Sequence, residues 1–221
     1  MTRITILTLS LCFSCLISSG QALTSSEVLE KSIAFHDPQG LWLKSDFQWH
    51  FKETRPQLAD RVAYIEINLN TGHFLLDRNR EELYKLQYDS CVELSQGRSC
   101  ERGIMLRNYY TYLWGLPMKL KDPGTQLNPE VVEEQIMDIQ CYKLKVTYPN
   151  DTWYYYFRKS DFALIAYKFY KDEENGKGEL ILTDGFMAFE DLKFPNRRTW
   201  FELPGNKELG TDILEKVDYL R

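Results

Sequence analysis

Phe47-Gln48-Trp49-His50-Phe51-Lys52 and Ala63-Tyr64-Ile65-Glu66-Ile67-Asn68-Leu69 are the two stretches that set the architecture. In each, apolar and polar side chains alternate with a period of two, the pattern of a strand with one face in a core and the other toward water. Asn70-Thr71-Gly72 then turns the chain, and residues 74–77 begin a return strand. Residues 83–94 read as a further strand or pair of strands. The signature recurs downstream: residues 142–148 and 151–158 flank Pro149-Asn150, and residues 163–171 and 178–183 flank an acidic turn over 172–177. Residues 186–192 and 198–203 extend the series. Short strands joined by tight turns predict an antiparallel meander.

Working outward, the period changes to that of helices in two places. Val28, Leu29, Ile33 and Phe35 recur every three to four residues behind Ser25 and Ser26, and Pro38 and Gly40 stop the run. This predicts a helix over 25–36 with a serine N-cap. Tyr109, Tyr110, Leu113 and Trp114 predict a short amphipathic helix within 106–116, closed by Gly115 and Pro117. Residues 118–128 read as a long irregular segment, Pro129 as the start of a brief helical turn through 134, and residues 213–219 as a last short strand or helix. The fold class is therefore α+β, an antiparallel meander with packed helices.

The chain has 221 residues, 43% hydrophobic, 14% aromatic and 27% charged, enough apolar material for one well-filled domain and too much for disorder. Residues 1–22 differ in character: Arg3, then an apolar run from Ile4 to Ile17, then Gly20 and Ala22 as small residues before a cut site. That order is a secretory signal peptide, which places the mature start at Leu23 and one domain over 23–221. The apolar run is about 14 residues, short of the roughly 20 that a membrane-spanning helix needs. Cys12 and Cys15 lack the surroundings of a lipoprotein signal. Removal of the leader leaves 26 Lys and Arg against 32 Asp and Glu, a formal charge of −6 that gives no bulk attraction to nucleic acid or anionic lipid. Of the remaining cysteines, Cys91 and Cys100 flank the polar turn 95–99 and are expected to pair across a hairpin in an oxidising compartment, leaving Cys141 free and buried.

No catalytic residue is assigned, because no nucleophile elbow, phosphate loop or dinucleotide fingerprint is present. No cofactor is implied. No metal ligand is assigned either, since no Cys or His pair stands at zinc spacing and the acidic turn 172–176 misses the calcium-loop pattern. His36 and Asp37, with His50, are the one constellation that an exported hydrolase would use. Asp37-Pro38 is equally a helix-stopping turn, and His50 falls on a polar strand face. The strand Trp153-Tyr154-Tyr155-Tyr156-Phe157 is aromatic on both faces, so cover is expected on each, helices on one side and a ligand as a candidate for the other.

The segment Leu116-Pro117-Met118-Lys119-Leu120-Lys121-Asp122-Pro123-Gly124-Thr125 is the most individual in the chain and reads as a lid, a pocket rim or a structural crossover. Taken with His36-Asp37-Pro38, Asp151-Thr152-Trp153, Gly178-Glu179 and Leu209-Gly210-Thr211-Asp212, it resembles a family of secreted bacterial proteins of unknown function. That family in turn resembles the periplasmic lipoprotein carriers LolA and LolB. The resemblance implies a strongly curved antiparallel half-barrel closed by helices, with a hydrophobic cavity for acyl chains.

The expected function is non-catalytic binding or carriage of a lipid, lipoprotein or other apolar ligand in the cell envelope. The alternatives are the exported hydrolase and a structural envelope protein with a filled concave face. Expected ligand-binding residues are Trp49, Tyr64, Tyr109, Tyr112, Trp114, Met118, Trp153, Tyr155 and Phe169, lining a cavity between the sheet and residues 109–125. Expected partners are an apolar ligand or lipoprotein acyl chains, with no nucleic acid. The protein is expected to be soluble, which is compatible with peripheral contact with membranes, and secreted or periplasmic.

Overall fold

Alternation in the sequence becomes twelve strands in a computed structural model that describes residues 22–44 and 46–220. The expected leader lies outside the described residues except for Ala22. Helix α1 (Ser25–His36) is followed by β1 (Asp46–Arg55), β2 (Leu58–Asn68), β3 (His73–Arg78), β4 (Glu82–Gln87) and β5 (Ser90–Leu94). Helix α2 (Cys100–Trp114) and a 3-10 turn (Met118–Lys121) then cross to β6 (Val132–Ile136), β7 (Ile139–Thr147) and β8 (Thr152–Arg158). The chain continues through β9 (Leu164–Asp172), β10 (Lys177–Phe189), β11 (Leu192–Leu203) and β12 (Lys207–Tyr219).

All twelve form one antiparallel sheet in the order β5-β4-β3-β2-β1-β12-β11-β10-β9-β8-β7-β6. The sheet is curved and unclosed, a half-barrel whose free edges are β5 and β6. Strands β1 and β12 meet in its middle, with Trp49 opposite Val217 and Phe47 opposite Tyr219. Register between β1 and β2 sets Trp49 opposite Ile65 and Phe51 opposite Ala63, so the apolar residues of both strands share the inner face.

Two buried clusters fill that face. Phe47, Trp49, Phe51, Ile65, Ile67, Phe74, Tyr84 and Leu86 pack against Leu106, Tyr110 and Trp114 of α2. Leu144, Tyr155, Phe157, Tyr167 and Ile181 pack against Val28 and Leu29 of α1 and against Leu113, Leu116 and Leu120. Each such side chain contributes about 1.5–3 kcal/mol when fully buried.

Local chemistry fixes the helix ends. Thr24, one residue before the expected serines, is the N-cap of α1: its hydroxyl accepts from the Glu27 N–H at 3.2 Å while the Glu27 carboxylate accepts from the Thr24 N–H at 2.7 Å. At the other end the Asp37 carboxylate accepts from the N–H groups of Leu41 (2.7 Å) and Trp42 (3.1 Å), which turns the chain toward β1. Helix α2 begins six residues earlier than its apolar spacing indicates. Ser99 caps it, accepting from the Arg102 N–H at 3.2 Å, and Gly103 lets its first turn approach Tyr84 and Leu86. It ends at Gly115, where a Cβ would come within 2.4 Å of the Trp42 ring and 2.8 Å of the Thr111 carbonyl.

Three other expectations change. Residues 132–136 form an edge strand rather than a helical turn, held by β7 with Val132 opposite Lys143. Residues 213–219 belong to the long strand β12. Cys91 and Cys100 are bonded with their Cα atoms 5.7 Å apart, but they join β5 to the first residue of α2 rather than spanning a hairpin. Cys141 is free and buried, and burial pushes its thiol up to about 11.

Candidate ligand-binding site

The expected site residues separate into four settings. Trp49, Trp114 and Tyr155 are buried and committed to the core. Trp49 lies parallel to Trp42 at 6.2 Å, Trp42 lies parallel to Phe47 at 5.8 Å, and Trp114 contacts Phe51 at 4.5 Å. Met118 packs half-buried against the same cluster. Beneath Trp114 the Arg198 guanidinium sits 3.6 Å from the ring centroid and donates to the Leu113 carbonyl at 2.5 Å. The space directly under residues 109–114, expected to be a cavity, is therefore occupied by side chains. Trp42 does much of this filling, and sequence reasoning did not single it out because it follows a turn and belongs to no periodic run.

Tyr112, Trp153 and Phe169 form a second, half-buried aromatic group. Trp153 stacks on Phe169 at 4.7 Å, Tyr112 meets Trp153 at 5.5 Å, and the Tyr112 hydroxyl shares hydrogen bonds with those of Tyr155 (2.5 Å) and Tyr148 (3.0 Å). Burial raises the Tyr112 and Tyr155 hydroxyls above the usual phenol range, so both stay protonated. Tyr109 lies across the trough, stacked on Trp200 at 5.7 Å and partly exposed.

Tyr64 is a correction. It stands on the outer face, opposite His50, with its hydroxyl donating to Glu66 at 2.6 Å. The period-two pattern that carries Ile65 inward sends Tyr64 outward. On the same outer side of the sheet, Tyr154 and Tyr156 are covered by ionic side chains: Lys143 and Lys168 lie over their rings, and Glu173 and Glu134 accept from their hydroxyls.

Open space lies at the two mouths of the trough, one against each flank of α2. The first, about 330 Å³, is framed by the β2–β3 turn, by Tyr88 after β4, by α2 and by the 3-10 turn. Ile67, Leu69, Tyr88, Thr111 and Tyr112 supply its apolar surface, and Arg107, His73 and Lys119 its cationic or titratable rim. Of the nine expected residues only Tyr112 lines it. The others were not legible as a set because they converge from four separate elements. Gly72 is fixed here by its φ of +69° and by the Tyr88 ring, which a Cβ would strike at 2.3 Å. Arg107 ties the rim together, pairing with Asp89 at 2.9 Å and donating to the Tyr88 carbonyl. Lys119 pairs with Asp122, and His73 with Glu66 at 2.8 Å.

His36 and Asp37 do not face this cleft. The His36 ring is buried with Nδ1 against the Lys193 carbonyl at 2.9 Å and Nε2 against the Leu164 N–H at 3.0 Å, which assigns the neutral Nδ1–H form. Burial lowers its pKa to about 4. Both Asp37 oxygens are taken by the backbone, as described above. The pair therefore pins α1 and its following turn to β9 and β11, and offers no free base. Among the described residues no group of three or more His, Cys, Asp or Glu side chains is placed to hold a metal ion.

An open antiparallel half-barrel whose concave face is closed by two helices defines a LolA-like fold. Residues 85–216 match the family described as Family of unknown function (DUF6503), and the chain belongs to that family. Among solved structures it is similar to a LolA superfamily protein from Nitrosomonas europaea, with a TM-score of 0.50 at 15% identity over 90% of this chain and 95% of that one. A domain assigned to outer membrane lipoprotein sorting in Vibrio parahaemolyticus gives 0.53 at 8% identity over 87% and 91%. A DUF1329 family protein from Desulfovibrio piger gives 0.51 at 10% over 88% and 92%. At such identities the likeness is one of fold. No curated protein matches the chain.

Proposed function

We propose that this protein is exported after loss of residues 1–22 and binds the acyl part of a lipid or lipoprotein in the cell envelope, without catalysis. The observation that carries the reading is the cleft between the β2–β3 turn and α2, where Ile67, Leu69, Tyr88 and Tyr112 offer apolar surface beneath the ion pairs of Arg107 with Asp89 and of Lys119 with Asp122. That combination suits a ligand with an apolar chain and a polar end. Its volume of about 330 Å³ lies at the lower end of the roughly 300–1,000 Å³ typical of small-molecule sites. The LolA-like fold adds support, since one structure of similar fold is a domain assigned to lipoprotein sorting. Among the described residues no helix is long and apolar enough to cross a membrane.

Burial of about eight methylenes at about 0.8 kcal/mol each yields roughly 6 kcal/mol, equivalent to a Kd of about 40 μM before ordering costs, so a single short chain binds in the high-micromolar to millimolar range. The test is titration of delipidated protein with a fluorescent fatty acid, alongside mass spectrometry of lipid that copurifies. Thr111→Trp, which fills the cleft from α2, should abolish saturable binding while the wild type retains it. A wild-type protein that binds no probe and carries no lipid rules the reading out.

A second reading rests on the filled trough. With Trp42, Trp49 and Trp114 occupying the centre, the half-barrel serves as a rigid scaffold for a protein partner, and in that case Thr111→Trp changes nothing measurable in lipid titrations.

A further inference from the structure

The second mouth of the trough, on the other flank of α2, has a different chemistry. It is a cleft of about 260 Å³ in which three guanidinium groups, Arg61, Arg78 and Arg102, face two carboxylates, Glu53 and Asp212. Glu53 is buried and already committed: it accepts from the Tyr110 hydroxyl at 2.5 Å and lies 2.6 Å from Arg61 and 3.5 Å from Arg78. Asp212 accepts from the Trp200 indole N–H at 3.0 Å.

The cations are less fully used. Arg78 is 6% exposed; one of its terminal nitrogens donates to the Tyr110 hydroxyl at 2.6 Å and the other lies 3.6 Å from Glu82, but its Nε is buried without a partner. The Arg61 Nε is likewise buried and unpaired. Arg102 reaches only the Met105 sulfur at 3.3 Å and pairs with no carboxylate among the described residues. A buried N–H without an acceptor is costly, and an arginine fork is shaped to give two parallel bonds to an oxyanion. Beside these groups Met105 and Tyr109 are 45% and 37% exposed, an apolar wall at the cleft's opening.

We propose that this cleft is a binding site for a single carboxylate or phosphate group, held by Arg61, Arg78 and Arg102, with the apolar stem of its ligand lying along Met105 and Tyr109. Arg102, paired with no carboxylate among the described residues, supplies the uncompensated charge that draws the anion in and the N–H groups that give its oxygens directional partners. The proposal is independent of the lipid cleft, from which it is separated by the width of α2.

The test is calorimetric titration of the full chain with inorganic phosphate, hexyl phosphate and hexanoate at low salt. Saturable one-to-one binding of hexyl phosphate or hexanoate is expected, tighter than that of inorganic phosphate, and the tighter of the two names the anion. Arg102→Gln should weaken this binding about tenfold, the scale of one charge-assisted contact, and Arg102→Lys should restore part of it. Arg102 is a surface residue of α2, so an unchanged circular dichroism spectrum and melting temperature should accompany the loss. Thr111→Trp in the other cleft should leave the anion titration unaltered, which separates failure here from failure of the lipid reading. Equal affinity for inorganic and hexyl phosphate would overturn the apolar stem. Absence of saturable binding, or an Arg102→Gln protein that binds as tightly as wild type, would overturn the site.

Discussion

Protonation of His36 is the perturbation whose cost can be worked most directly from the structure. The ring is buried, Nδ1–H donates to the Lys193 carbonyl and Nε2 accepts from the Leu164 N–H, so a second proton must break the Leu164 bond. Burial is the main cause that lowers its pKa from 6.5 to about 4; the bond to the Lys193 carbonyl opposes it, the nearby Lys193 ammonium adds to it, and Asp161 opposes it. Below pH 6.5 the unfolded chain takes up a proton that the folded chain refuses until about pH 4. The stability that His36 contributes is thus fully present above pH 6.5 and is lost as pH falls toward 4, by about 3 kcal/mol at that point. Asp212 works with the opposite sign. Burial raises its pKa from 3.8 to about 6, so the folded chain holds a proton between those values that the unfolded chain releases, and acidification through that window stabilises. The wild-type pH profile therefore mixes two opposed effects, and the difference between wild type and His36→Asn isolates one. Urea unfolding followed by tryptophan fluorescence at pH 7, 6, 5 and 4 should show the variant less stable at pH 7 and the gap narrowing by about 3 kcal/mol at pH 4. A gap that stays constant across that range refutes the assignment of a neutral, bridging imidazole.

Two further outcomes are expected. Replacing both Cys91 and Cys100 by Ser should cost about 2–3 kcal/mol in chemical unfolding, the loop-closure term for a short bridge, and should speed amide exchange in the first turn of α2; equal stability would show that Ser99 and the Gly103 contact hold that turn unaided. Sequencing of exported protein should begin Leu23-Thr24-Ser25-Ser26, and a form that keeps Met1 or carries lipid on Cys12 or Cys15 would refute the proposed leader.

The strands were legible because period two is a local signal: Trp49, Ile65 and Ile67 announce their shared face without knowledge of their partners. What was not legible depends on contacts. Tyr64 is the exception: the alternation that carries Ile65 inward already sets it outward, opposite His50, so grouping it with Trp49 went against a local signal that was legible. The start of α2 escaped because residues 100–105 carry no apolar stripe, and their helix is set by a serine cap, a disulfide and a glycine fitted against Tyr84. Residues 132–136 look helical after Pro129, yet an edge strand forms because β7 supplies its hydrogen bonds. Both clefts are assembled from residues distant in sequence, and a buried arginine with an unpaired nitrogen has no signature in a single chain.

The order of the strands has a consequence for how the chain reaches its native state. Ten of the eleven pairings join neighbours in the sequence, and only β1 with β12 does not. Two meanders can therefore assemble on local contacts, and their seam must close across most of the chain. Compared with a hairpin turn of about ten residues, that closure spans about four doublings of length and carries roughly 2.5 kcal/mol more entropic cost. Until it closes, strands of 10 and 13 residues each expose one unpaired edge, whereas the permanent edges β5 and β6 have only five residues each, and β6 carries Glu133 and Glu134. Short, charged edges resist edge-to-edge association, and long amphipathic ones invite it. The vulnerable line of this molecule during synthesis is thus its middle, where β1 of one copy can accept β12 of another and exchange halves.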